Sequence, residues 1–422
     1  MRNTAHTSRY RWIVMSIAAV TILITSACTG GAQSSSVEAT ALFESALLTA
    51  TYAVNASSSQ PTETEIPAAT DTPPQPTATN TPEPTATINP NVTPPALPPV
   101  YVSSLLNPND PPHAYIQDTC EYLNKRWNPN NSEPGTVVMP IMFHSILAAG
   151  KDVTKSYQIT SETLTQLMDN LAAQGFEAIT MQQLRDFLVD NAKIPARSVI
   201  FIVDDRHYAD YFETHFQPYY EKYGWKVTNA WISSPDTLQV VYDGNIRLQN
   251  EGWVDHQAHG VVHNIPIGAD STEDFIRSEL FGASDVINEK YGKRPIAYIW
   301  PGGGFSPLAA QIAHEAGYEL GFTTNPRGPL MFNWIPLTDS ADPARPMWMP
   351  EGAVDDPLMV LPRYTDADAS YHIDTVRSIG KEAKEYAKQN KDIEIQYYNQ
   401  MCKSITGELP SANAAAGSEA EQ

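Results

Sequence analysis

From about residue 137 the chain alternates short apolar runs with stretches of helical period. Val137 to His144, Phe176 to Thr180, Val199 to Val203, Lys226 to Ser233, Trp253 to Ala258, Ala297 to Trp300 and Tyr318 to Thr324 are brief and apolar enough to read as strands. Between them the period lengthens. Ser161 is placed to cap a helix whose Leu164, Leu167, Met168 and Leu171 share one face and which Gly175 ends. Thr272 to Tyr291 has the same helical character. Strands alternating with helices predict an α/β domain, a parallel sheet with helices outside it. No internal repeat is present.

The chain before this domain has a different pattern. Arg2, Arg9 and Arg11 precede an apolar stretch from Trp12 to Ala27, too short for an ordinary membrane span, so residues 1–28 read as an export signal. It ends in Thr25-Ser26-Ala27-Cys28, similar to a bacterial lipobox except that Thr25 stands where Leu is usual. Cys28 is therefore a lipidation candidate, and cleavage without lipidation is the alternative. Residues 29–106 form a Thr- and Pro-rich linker; Pro61 to Pro99 has no aromatic residue, Lys or Arg, and is expected to be disordered for want of apolar surface to bury. The domain is assigned to 107–405 and a disordered tail to 406–422.

The chemistry concentrates at two places. Asp204-Asp205 follows the run Val199 to Val203, so both acids should lie at the carboxyl end of a strand, where α/β folds build their sites. His259 and His263 are spaced i, i+4, which places two imidazoles together on a helical turn but far apart on a strand; a turn is expected. Either half alone occurs by chance in many chains. Together, one carboxylate and two imidazoles can hold a Zn²⁺ ion with a position open to water, leaving the other carboxylate free as a base.

At these residues the chain resembles the polysaccharide deacetylases with a NodB-like domain, carbohydrate esterase family 4. Ile202-Val-Asp204-Asp205-Arg206 is similar to that family's Thr-Phe-Asp-Asp-Gly, and Ala258-His259-Gly-Val-Val-His263 to its Ser-His-Thr-x-x-His. Pro140-Ile-Met-Phe-His144, Tyr298-Ile-Trp-Pro301-Gly302-Gly303-Gly304-Phe305 and Leu361-Pro-Arg363 resemble further family segments, so the likeness covers about residues 137–365. It implies a distorted (β/α) barrel with fewer than eight complete units. It also implies Asp205, His259 and His263 as ligands of a divalent metal, Zn²⁺ first, with Asp204 as general base. Gly302 would offer its backbone N–H to an oxyanion beside Pro301, and His144 and Arg363 would border the pocket.

Three departures bear on activity. Arg206 replaces the family's glycine, and a guanidinium near Asp204 would lower its pKa and weaken it as a base. Trp300 stands where many members have arginine. The late Leu-x-His motif has no clear match; His372 is the nearest histidine, in different surroundings, and His256 is read as incidental.

A net charge of −21 argues against nucleic acid or an anionic lipid surface as partner and suits a neutral or cationic glycan. Of the three cysteines, Cys120 and Cys402 bracket the domain, and a barrel brings its ends together, so a disulfide is expected, two free thiols being the alternative. The expected activity is removal of N-acetyl groups from a cell-envelope or extracellular polysaccharide. The alternative is a surface-anchored glycan-binding protein with weakened catalysis. The protein is expected as a monomer, exported and held on the outer face of a bacterial membrane by its lipid alone, or secreted.

Overall fold

The structure, a computed structural model, describes residues 93–341 and 349–410. The export signal with Cys28, most of the linker and the tail from residue 411 lie outside the described residues.

The core is an eight-stranded sheet, parallel throughout. Its strands are β1 (Val137–Phe143), β2 (Glu177–Ala178), β3 (Arg197–Val203), β4 (Val227–Trp231), β5 (Val254–Ala258), β6 (Ala297–Ile299), β7 (Leu320–Phe322) and β8 (Tyr364–Thr365). The order is β7-β6-β5-β4-β3-β1-β8, with β2 paired to the first half of β3 and β4 to its end. β1 and β3 run in register from Val137 opposite Arg197 to Phe143 opposite Val203.

Val137–Phe143 and the last five residues of β3, Val199 to Val203, are apolar throughout because both faces are covered. Val137, Met139, Ile141, Phe143, Val199, Phe201 and Val203 join one buried cluster, while Val138, Ile200 and Ile202 join the other. Every strand except β7 is followed by a helix. The helices used below are α1 (Thr119–Trp127), α2 (Ser161–Ala173), α3 (Met181–Asp190), α4 (Ala209–His215), α5 (Gln217–Tyr223), α6 (Gln239–Glu251), α7 (Glu273–Tyr291), α8 (Pro307–Glu315) and α9 (Ala369–Tyr397). This is the distorted barrel with incomplete units that the sequence implied. Two short pairs lie outside the sheet, Pro112–His113 with Ile335–Pro336 and Ser145–Leu147 with Gln158–Thr160.

Closure of the curled sheet falls to one segment. Leu361 exchanges backbone hydrogen bonds with the β7 edge, its N–H donating to Gly321 O (2.7 Å) and its carbonyl accepting from Thr323 N–H (2.9 Å). A few residues on, β8 pairs with β1 at the opposite edge. Residues 361–365 thus reach from one edge of the sheet to the other.

Several local expectations shift. The cap of α2 is Thr160, whose hydroxyl accepts from Thr163 N–H, and Ser161 is the first helical residue. Residues 97–106, assigned above to the linker, pack on the domain: Leu106 is buried, the Tyr101 ring lies 5.9 Å from Trp334, and Trp334 Nε1 donates to Tyr101 O. The tail is likewise shorter than assigned, since the Tyr398 hydroxyl bonds Thr406 and Gly407 and Leu409 packs beside Tyr398. Cys120, on α1, and Cys402 form a disulfide with Cα atoms 5.1 Å apart.

Candidate active site at the carboxyl ends of the strands

Asp204 follows β3, and its N–H donates to Phe143 O at 2.8 Å, extending the ladder by one residue. Asp205 then takes a left-handed backbone, φ 76°, a conformation uncommon outside glycine. That reversal parts the two carboxylates. Asp204 turns inward, 1 % exposed, and Asp205 faces the opening.

Asp204 meets the fully buried guanidinium of Arg363 in a bidentate pair, 2.6 and 2.9 Å. Arg363 is itself fixed by Nε donating to Thr323 O at 2.7 Å. His144, at the end of β1, places Nε2 3.5 Å from the second Asp204 oxygen. Burial alone would raise the Asp204 carboxyl; the charges of Arg363, His259 and His144 outweigh it and hold that carboxyl well below the usual range.

His259 follows β5 and is doubly anchored. Its N–H donates to Trp231 O at 2.9 Å, and its Nδ1 lies 2.7 Å from Ile299 O. A carbonyl only accepts, so Nδ1 carries the proton and Nε2 is left with its lone pair. Burial lowers the His259 pKa, against the pull of Asp204, which favours that neutral form. His263 reaches back from a partly exposed position, its Nε2 3.1 Å from Asp205 Oδ1, while His259 Nε2 lies 4.0 Å from the same oxygen. One ligand atom from each of Asp205, His259 and His263 lies within 4.8 Å of the others.

The fit to a metal rests on unpartnered atoms. His259 Nε2 is buried and makes no hydrogen bond, a costly arrangement for a lone pair unless something else meets it, and Asp205 Oδ1, also buried without a hydrogen bond, has the two imidazoles as its neighbours. A carboxylate and two imidazoles converging there match the donors of a catalytic zinc site.

The route from His259 to His263 differs from the helical turn expected. The segment is a loop, with Gly260 at φ +76° and turn geometry only beyond Val262. Spacing of four brought the rings together, centroids 5.0 Å apart, through a glycine reversal instead of helical periodicity.

After β6, Pro301–Gly303 makes a single 3₁₀ turn with Gly302 at φ 58° and Gly303 at φ 74°. Gly303 and Gly304 N–H groups close that turn on Trp300 O and Pro301 O. Gly304 also sits so close to the histidine loop that a Cβ there would fall 2.5 Å from Ile267 O.

One expectation about a nearby residue is corrected. Arg206 does not bear on Asp204; its guanidinium pairs with Asp236 (2.8 Å) and Thr237 (2.6 Å) beyond β4. Arg363, expected beside the pocket in a supporting place, pairs with Asp204 directly and is closed to solvent. Trp300 is buried with its indole donating to Met359 O, and His256 is a buried structural residue between Gln249, Asn245 and the Tyr291 ring. His372 packs on Tyr364.

Other residues at the site went unread in the sequence. His207 lies 3.0 Å from Asp204 O and stacks on Tyr211, whose hydroxyl donates to His144 O. Asp366, just past β8, is buried with Oδ2 unpartnered. Glu279 of α7 accepts the N–H groups of Val261 and Val262. Glu279 alone carried a signal, an acid on the apolar stripe of Ile276, Leu280, Ala283 and Ile287.

Among solved structures, the Streptococcus pyogenes deacetylase PplD in complex with acetate aligns with 54 % of this chain and 92 % of its own, at 20 % identity and TM-score 0.41. IcaB from Ammonifex degensii covers 58 % and 97 % at 14 % identity and TM-score 0.43. In sequence, the Bacillus subtilis (strain 168) protein named for polysaccharide deacetylase, YxkH, is 20 % identical over 189 residues, 44 % of this chain and 65 % of that protein, so the chain spans less than two thirds of it. The family model for polysaccharide deacetylase matches residues 191–321. That stretch contains both acids, both histidines and the Pro301 loop, and through it the chain carries a domain of the polysaccharide deacetylase family.

Proposed function

We propose that the protein removes N-acetyl groups from a polysaccharide of the cell envelope or extracellular matrix, with a divalent metal, Zn²⁺ first, held by Asp205, His259 and His263. The observation that carries this reading is the convergence of those three side chains beside a buried, ionised Asp204. The ion would act as a Lewis acid, polarising the acetyl carbonyl and lowering the pKa of water. Asp204 takes the proton from the attacking water as the oxygen–carbon bond forms. The Gly302 N–H, on the turn after β6, would donate to the oxygen that gains charge. His144, partly exposed and next to Asp204, is placed to hand a proton to the amine nitrogen as the carbon–nitrogen bond breaks. The products are acetate and a free amine on the sugar.

Acetate release from N-acetylglucosamine oligomers, with and without chelator and added Zn²⁺, tests the reading. Activity that chelator abolishes and Zn²⁺ restores is expected; none under any condition would sink it. Asp204→Asn should lose turnover with Zn²⁺ affinity kept, while Asp205→Ala loses both. The second reading, a glycan-binding protein with weakened catalysis, draws on the bidentate grip of Arg363, since a carboxylate so stabilised is a poor base. Glycan retention without acetate release would favour it.

We place the protein outside the cell, on a lipid at Cys28 or secreted, on the basis of its first 28 residues. Mass spectrometry of the mature amino terminus distinguishes the two.

A further inference from the structure

The two imidazoles of the candidate metal centre are held very differently. His259 is locked by the strand ladder and by Ile299 O. His263 is one third exposed, and no hydrogen bond to its Nδ1 is present among the described residues. Ligating histidines are ordinarily oriented by a partner on the other ring nitrogen. Something else must place this one.

The link between them, Gly260-Val261-Val262, rests on α7. Glu279 is 2 % exposed there; Oε2 accepts the Val261 N–H at 2.8 Å, and both oxygens accept the Val262 N–H at 3.0 Å. Gly260 lies so close that a Cβ would come 2.6 Å from Glu279 Oε2 and 3.1 Å from the Tyr298 hydroxyl. That hydroxyl is buried without a partner. An apolar residue would complete the stripe of α7 at less desolvation cost, so the carboxylate is not explained by packing of the helix. Among the described residues its hydrogen bonds all run to the loop.

We propose that Glu279 is a positioning residue for the metal centre, one whose carboxylate clamps the Val261 and Val262 N–H groups and thereby fixes His263 relative to His259 before an ion binds. Gly260 is the other half of the device, because only a residue without Cβ at positive φ lets the backbone approach the carboxylate. The inference rests on the metal reading above for the identity of the ion, but the clamp itself belongs to the metal-free protein.

The test compares the full-length protein with Glu279→Gln and with Gly260→Ala, the latter leaving α7 intact should the former fold poorly. Amide exchange at Val261 and Val262 is read in the metal-free proteins, Zn²⁺ affinity by competition with a chromophoric chelator, and ligand geometry from the visible spectrum of bound Co²⁺. Expected are faster exchange at both amides, Zn²⁺ affinity lower by about 10- to 100-fold and an altered Co²⁺ spectrum in either variant. The double variant should lose less than the sum of the two, because both act through one loop. Zn²⁺ affinity and Co²⁺ spectrum unchanged in both folded variants would overturn the assignment while leaving the metal site standing. A wild-type protein that binds neither ion would overturn both.

Discussion

Asp204 sits under opposed influences, and their balance predicts what its neighbour does. Removing the guanidinium in Arg363→Met leaves burial to raise the carboxyl unopposed by its strongest partner. The base would then hold its proton to higher pH, so the acid limb of kcat/KM should move upward, and an unpaired buried carboxylate should cost about 3–5 kcal/mol of folding stability. Arg363→Lys, which keeps the charge and loses the fork, should fall between. Arg206→Gly should leave the acid limb in place, because Arg206 is engaged with Asp236. Asp366 has the opposite problem: burial pushes its carboxyl up to about 7, against N–H bonds from Ala367 and His144 and with the Asp204 charge adding to the rise. Since an unfolded aspartate titrates near about 3.9, the folded chain holds an extra proton between about pH 4 and about pH 7, and stability falls as pH rises through that window. Asp366→Asn removes this loss. Urea midpoints should show the variant gaining on the wild type above about pH 7, with the difference shrinking toward about pH 4.

Helix α7 is the element on which the histidine loop leans, and its start is set by Thr272, whose hydroxyl accepts the Phe275 N–H at 3.3 Å. Thr272→Ala should cost about 1 kcal/mol, measured by denaturant unfolding. This helix was legible in advance from its helical character between Thr272 and Tyr291, and the structure makes Thr272 its cap and ends it at Gly292, φ +69°. The strands β1 and β3 were legible for a like reason, since strands covered on both faces are apolar throughout. What the sequence hid depends on partners far along the chain. Nothing near Asp204 announces Arg363, 159 positions away, so the adjacent Arg206 drew the attention. The spacing of His259 and His263 showed that the rings meet, but not that Gly260, held over Glu279, is what turns the backbone. Similarly, residues 97–106 share the linker's Pro-rich setting, and of their six large apolar side chains Leu97, Tyr101 and Leu106 pack while Val100, Val102 and Leu105 stay exposed, a division that the sequence does not announce.

For the molecule as a whole, the Cys120–Cys402 bridge ties α1 to the end of the last long helix across 282 positions. Closing so long a loop should stabilise the fold by about 2–5 kcal/mol, so Cys120→Ser with Cys402→Ser should lower the unfolding midpoint while leaving acetate release from the folded protein unchanged. Residues 361–365 join the sheet's two edges, and Arg363 stands in the middle of that span. The counter-charge of Asp204 is therefore delivered by the same stretch of chain that shuts the ring. Parting that seam would take the guanidinium from Asp204 while leaving Asp204 and Asp205 after β3 and His259 after β5. Acetate release should therefore depend on the seam at Leu361 being closed, and in mild denaturant it is expected to vanish before helical content does, read by circular dichroism; loss of both together would show that the seam does not open ahead of the helices.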